Sequence, residues 1–240
     1  MASTDNEYIE MNGFKNDILR TIRFRMKMNE YNTNTTILEF GPKKIMPGII
    51  FVDNTAENAN ILSFGYHPKL TEPNLAKNSG TFIILQTIIQ KMLELRAENI
   101  IQFKQITFTD NSSKKLFHVE VQLSDYHRLL NGKTWYQTVL PQFKFVMKEP
   151  ELQKIFDRDN QKLTNLLVQN VHWSQLFIYK TTFDDEQLEK LWTVTTNKLL
   201  IHVFQQLREQ MPELLVKNYI HILQYLQIRP IFGQTFIIYM

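Results

Sequence analysis

The chain has 240 residues, enough for one large domain or two small ones, and 43% hydrophobic with 21% charged content is the composition of a globular protein. Cysteine is absent, which excludes thiol nucleophiles, thiolate metal sites and disulfide scaffolds and makes a reducing, cytoplasmic setting the expectation. The 27 basic and 24 acidic side chains leave a formal charge of +3, too little to mark a nucleic-acid or membrane-surface protein.

Residues 1–12 carry Asp5, Glu7 and Glu10 and no apolar segment of the signal-peptide kind, and no apolar run reaches the ~18 residues of a membrane span, so neither secretion nor a membrane is expected. From 22 to 28 the chain alternates, Ile22, Phe24, Met26 and Met28 against Arg23, Arg25 and Lys27, which predicts a half-buried strand. Extended stretches at 36–40, 49–52 and 60–66, separated by Gly41-Pro42 and Pro47-Gly48, predict an antiparallel meander. A polar loop over 74–80 then opens a helix over 81–97, so widely apolar that it must be covered on more than one side. Strands are expected at 103–109 and 116–123, which makes that helix a crossover between neighbouring strands.

Ser124-Asp125 reads as the N-cap of a helix through 127–130, interrupted by Asn131-Gly132. Beyond Pro150 helices are predicted over 151–169, 184–211 and 212–228, with Asp184, Asp185 and Glu186 complementing the dipole of the second, and a strand over 173–179. The apolar end, 235–240, is expected to dock within the chain with Ile237 or Ile238 buried. The expected architecture is α+β: a domain over 1–148 with a mostly antiparallel mixed sheet and crossover helices, and a helical C-terminal extension over 149–240 packed on it.

One region carries chemistry. Lys77, Asn78, Ser79, Gly80 and Thr81 stand where a loop enters a helix, and the unpaired N–H groups of a first helical turn form an anion site. Downstream, a strand ends at Asn111, and the segment from Asn131 to Tyr136 is followed by Phe143-Lys144-Phe145. This order resembles the GNAT family of N-acetyltransferases over about residues 22–146, and it is similar to GNAT-like proteins of large DNA viruses. The family's pyrophosphate loop has Gln or Arg, two residues, Gly, one residue, then Gly or Ala. Here Lys77 stands for the Gln or Arg, Gly80 matches, and Phe82 occupies the last small position.

The resemblance implies acyl transfer from acetyl-CoA to a small-molecule or protein amine. Lys77, Asn78, Ser79, Gly80, Thr81 and Asn111 would hold the cofactor, and Tyr136 would be the general acid that protonates the departing thiolate. The viral likeness implies a host-cytoplasmic or virion location. The alternative is a non-catalytic relative, a scaffold or viral assembly component whose loop has decayed at Phe82 and whose Trp135 and Tyr136 are core aromatics with polar handles. A protein partner would then meet the C-terminal helices, where Gln187, Asn197, Gln205 and Gln206 supply little charge.

Other signals are weaker. Gly132-Lys133-Thr134 resembles the end of a nucleotide phosphate loop, but the earlier glycine it requires falls on His127. The six histidines contain no i, i+4 pair, so no metal is expected. Arg20, Arg23, Arg25 and Lys27, with Lys43 and Lys44, could grip phosphates about 7 Å apart along a strand, which makes nucleic-acid binding a third reading, although such a row also suits a solvated sheet face.

Overall fold

The structure is a computed structural model that describes residues 7–15, 18–32, 34–40, 48–64 and 80–239. Five strands come first: β1 (Glu7–Lys15), β2 (Ile18–Asn32), β3 (Thr35–Phe40), β4 (Gly48–Asp53) and β5 (Asn58–Phe64). Each pairs antiparallel with the next, so the meander forms as the turn chemistry predicts. Helix α1 (Gly80–Ala97) then leads to β6 (Gln105–Thr109), which lies parallel to β5, so α1 is a crossover. The chain is mixed α/β, and its main sheet, mostly antiparallel, has the order β1-β2-β3-β4-β5-β6-β10-β9, where β9 is Phe145–Met147 and β10 is Thr235–Tyr239.

The core of this part follows from alternation. Leu38, Ile50, Val52, Ala59 and Ile61 are buried on one sheet face, and α1, which packs against β5, buries Leu85, Ile88, Ile89, Met92 and Leu95. The closing strand β10 buries Phe236 and Ile238, and the Phe236 ring stacks on Phe108 with centroids 5.6 Å apart. Strand β1 lies where the sequence predicts no element.

Two compact units divide the chain. One comprises Met1–Thr109, Gln142–Phe145 and Phe236–Met240; the other comprises Asp110–Pro141 and Val146–Thr235. The second unit therefore opens at Asp110, not at 149. The reason lies in helix α2 (Leu123–Asn131), whose Leu129 and Leu130 belong to the same apolar cluster as Leu163, Val203, Phe204, Leu215 and Tyr219 from helices far along the chain. Those helices are α4 (Pro150–Asn165), α7 (Leu200–Gln210) and α8 (Pro212–Tyr225), with the short α3 (Trp135–Val139) and α5 (Trp173–Leu176) and the longer α6 (Thr182–Thr195) beside them in sequence.

Three local expectations change here. The single strand expected at 116–123 is a hairpin of β7 (Ser113–Leu116) and β8 (Val119–Gln122), because Phe117 and His118 turn the chain with φ of 46° and 65°. The strand expected at 173–179 starts as α5, capped by the His172 ring, which accepts the Ser174 N–H. The helix expected over 184–211 is two helices, α6 and α7. Between them the carbonyls of Thr196 and Lys198 turn away to accept the N–H groups of Gln169 and Val168, and Leu200 donates to Leu166. Among the described residues no helix is long and apolar enough to cross a membrane.

Candidate functional site

Asp110 follows β6 directly and is buried. Its Oδ1 accepts the Ser112 hydroxyl at 2.6 Å, the Ser112 N–H at 3.2 Å and the Tyr136 hydroxyl at 2.9 Å. Tyr136 is set by α3, whose N-cap Thr134 forms a reciprocal capping box with Gln137. The phenol is only 3% exposed. Burial and the adjacent Asp110 carboxylate push it above its ordinary pKa, against the opposing influence of Ser112 and Ser124. The other Asp110 oxygen and the Ser124 hydroxyl are buried without a hydrogen-bond partner.

A second set of charges lies on α2 and α4. Asp125 is not an N-cap; Gln122 holds that position, and the Asp125 carboxylate accepts the backbone N–H groups of Ile231 at 2.8 Å and Phe232 at 3.3 Å. Burial raises its pKa to about 6, while those two N–H groups and Arg128 pull it down and Asp110 adds to the rise. Arg128 is fully buried: Nε donates to Asn160 Oδ1 at 2.6 Å, Nη1 donates to the Arg229 carbonyl at 2.8 Å, and the guanidinium lies 4.9 Å from the centre of the Phe156 ring. Burial lowers its pKa, and Asp125 and Asp159 work against that. Asp159 accepts the Arg229 N–H at 2.8 Å and takes Arg158 on its other oxygen at 2.7 Å.

Several of these groups, and the Asp110 backbone, meet on one strap of backbone, residues 229–234. Asp159 takes the N–H of Arg229 and Arg128 takes its carbonyl; Asp125 takes the next two N–H groups; Asp110 donates its own N–H to the Gln234 carbonyl and accepts the Gly233 N–H on its carbonyl. Burying four charged groups is costly unless each is paired. Asp125, Arg128 and Asp159 are held by the strap, with Asn160 and Arg158 as further partners, whereas the Asp110 carboxylate is held on one oxygen by Ser112 and Tyr136. The arrangement is a clamp. The adjacent hollow, lined by Met147, Phe156, Asp159, Arg229, Ile231 and Gln234, has room for about one water molecule.

The residues singled out in the sequence fall as follows. Gly80 is the first residue of α1 and Thr81 the second, in the first compact unit; Lys77, Asn78 and Ser79 lie outside the described residues. Asn111 is exposed and Tyr136 is buried, both in the second unit. Arg20, Arg23, Arg25 and Lys27 all lie on β2, with Glu10 of β1 in register opposite Arg23; Lys43 and Lys44 lie outside the described residues. Asp184 caps α6 through Thr181, as its place at a helix start suggests. Among the described residues no group of three or more His, Asp or Glu is arranged to hold a metal ion. Sequence reasoning missed Asp110, Arg128 and Asp159 because the partners that join them lie far along the chain, Tyr136 being 26 residues from Asp110 and Arg229 being 101 from Arg128 and 70 from Asp159. The local traces are Ser112 two residues after Asp110, Arg158 beside Asp159 and the Asp125–Arg128 spacing of three on one helix.

The chain matches no known family model, no curated protein and no solved structure.

Proposed function

We propose that the chain is a GNAT-like scaffold that works through protein contacts and not through acyl transfer. The observation that carries this reading is the state of Tyr136. A general acid must reach the leaving thiolate and give up its proton readily, whereas this phenol is buried, donates to Asp110 and is held above its ordinary pKa. Phe82, in the first turn of α1 where the family has a small residue, points the same way.

A contact surface needs apolar groups held in place, and the C-terminal half has such a pair. Ile178 and Tyr179 are 51% and 61% exposed, and the buried Asn218 amide fixes their backbone by accepting the Tyr179 N–H at 2.9 Å and donating to its carbonyl at 2.8 Å. The second reading, acetyl transfer to an amine, is favoured by one feature: Gly80 begins a helix that connects parallel strands, and the first-turn N–H groups of a helix favour an anion such as a pyrophosphate.

Calorimetric titration with acetyl-CoA separates the two. The scaffold reading expects no heat of binding up to about millimolar ligand, and micromolar affinity would overturn it in favour of acyl transfer.

A further inference from the structure

Among the described residues, the β1–β2 pair extends past the part of β2 that meets β3. Residues 18–26 of β2 pair with β1, whereas β3 pairs only from Met26 onward. Among the described residues, 18–25 therefore have a strand on one side only, and β1 is the outermost strand of the sheet. At ~3.4 Å per residue this two-stranded ribbon is roughly 27 Å long. A ribbon of two strands is marginal in water, and three or more with a shared apolar face are needed for stability. The register supplies such a face: Ile9 lies opposite Phe24 and Met11 opposite Ile22, while Tyr8 opposite Arg25 and Glu10 opposite Arg23 take the other face.

We propose that a second copy of this chain completes the ribbon, its β1 running antiparallel to the first β1 about a two-fold axis at Met11. The sequence of β1, EYIEMNGFK, is complementary to itself in that register. Glu7 stands opposite Lys15 of the second copy, Tyr8 opposite Phe14, and Met11 opposite Met11. All nine residues are paired and opposite charges meet at both ends. Moving the axis to Glu10 sets two Glu10 carboxylates against each other, and moving it to Asn12 sets Lys15 against Ile9. The Met11 register is therefore the one the charges select. The product is a four-stranded ribbon, β2-β1-β1-β2, in which Ile9, Met11, Ile22 and Phe24 of both copies share one face. Strand β1 has no proline to block edge pairing. This assembly stands whether or not the chain binds acetyl-CoA.

Sedimentation of the full chain tests it, with a dimer expected at micromolar concentration. Glu7→Lys and Lys15→Glu should each weaken the dimer by about ten-fold or more, since each sets like charges at both ends. An equimolar mixture of the two variants should recover it, because each supplies the charge that the other lacks. The chain has no cysteine, so Met11→Cys introduces a single thiol. At the two-fold axis the paired Cα atoms would be about 4.5–5.5 Å apart, within disulfide range, and diamide should oxidise the two thiols to one intermolecular disulfide. Ile9→Cys, whose copies would be roughly 14 Å apart in that register, should stay uncrosslinked. A chain that remains monomeric at about 100 μM, a dimer indifferent to both charge reversals, or equal crosslinking at positions 9 and 11 would overturn the proposal.

Discussion

Asp125, in the first turn of α2, accepts the backbone N–H of Ile231 at 2.8 Å across 106 residues of sequence. That bond and the neighbouring one to Phe232 make the carboxylate a long-range tie between a helix start and the strap that leads into β10. Truncating it strands two N–H groups and leaves the buried Arg128 with less compensation. Asp125→Ala should cost about 2–4 kcal/mol in urea unfolding. A loss within experimental error would show that the strap holds without the tie.

The same group has a pH signature. Its folded pKa, about 6, lies above the ordinary 3.8, so the folded state binds this proton more tightly than the unfolded chain does. Its contribution to stability is therefore largest below pH 4 and is lost as pH rises through 6. Over that window the difference amounts to at most about 3 kcal/mol. Relative to Asp125→Asn, the native chain should gain stability as pH falls from 7 to about 4. The check is the difference between the two unfolding free energies at several pH values; a difference independent of pH contradicts the assignment.

Tyr136→Phe removes one of the three donors to Asp110 Oδ1 and leaves a buried carboxylate less satisfied. The expected loss is about 1–3 kcal/mol in thermal or denaturant melts, with no change in any acetyl-CoA binding. A fully stable variant with altered cofactor affinity would return Tyr136 to a binding role.

Gly132 ends α2 at φ 67°, and a Cβ there would strike the Thr164 methyl. Gly132→Ala combines left-handed strain with that clash, so it should destabilise by roughly 2 kcal/mol or more. Denaturant midpoints read this directly, and relief by Thr164→Ser in the double variant would identify the clash as the larger share.

Phe236 is 1% exposed and stacks on Phe108. Phe236→Ala should cost about 3–5 kcal/mol, measured by urea unfolding. A small effect would mean that β10 contributes little to the sheet it joins.

For the basic strand, a filter-binding or gel-shift assay at 0.15 M salt should find no RNA or DNA complex. Glu10 stands in register opposite Arg23, which offsets part of the row, and phosphate contacts weaken steeply with salt. A complex that survives that salt would make β2 a nucleic-acid surface.

What was legible in the sequence was what depends on near neighbours. The extended stretches of β3 to β5 between turn residues, the apolar girth of α1 and the apolar β10 are local patterns, and each marks an element that buries apolar side chains. The helix start at Gly80 was legible for the same reason, as a polar run giving way to helical periodicity. Tertiary structure decided the rest. The periodicity across 184–211 favours one helix, yet Thr196 and Lys198 give their carbonyls to Gln169 and Val168, and that non-local pairing breaks it. Tyr136 stood out only through the resemblance of residues 131–136 to acetyltransferases, but what holds it is Asp110, 26 residues away. Asp125 reads as an N-cap and Arg128 and Asp159 as ordinary helix charges, because the free energy of a buried charge depends on which distant backbone folds over it, and no local spacing records that.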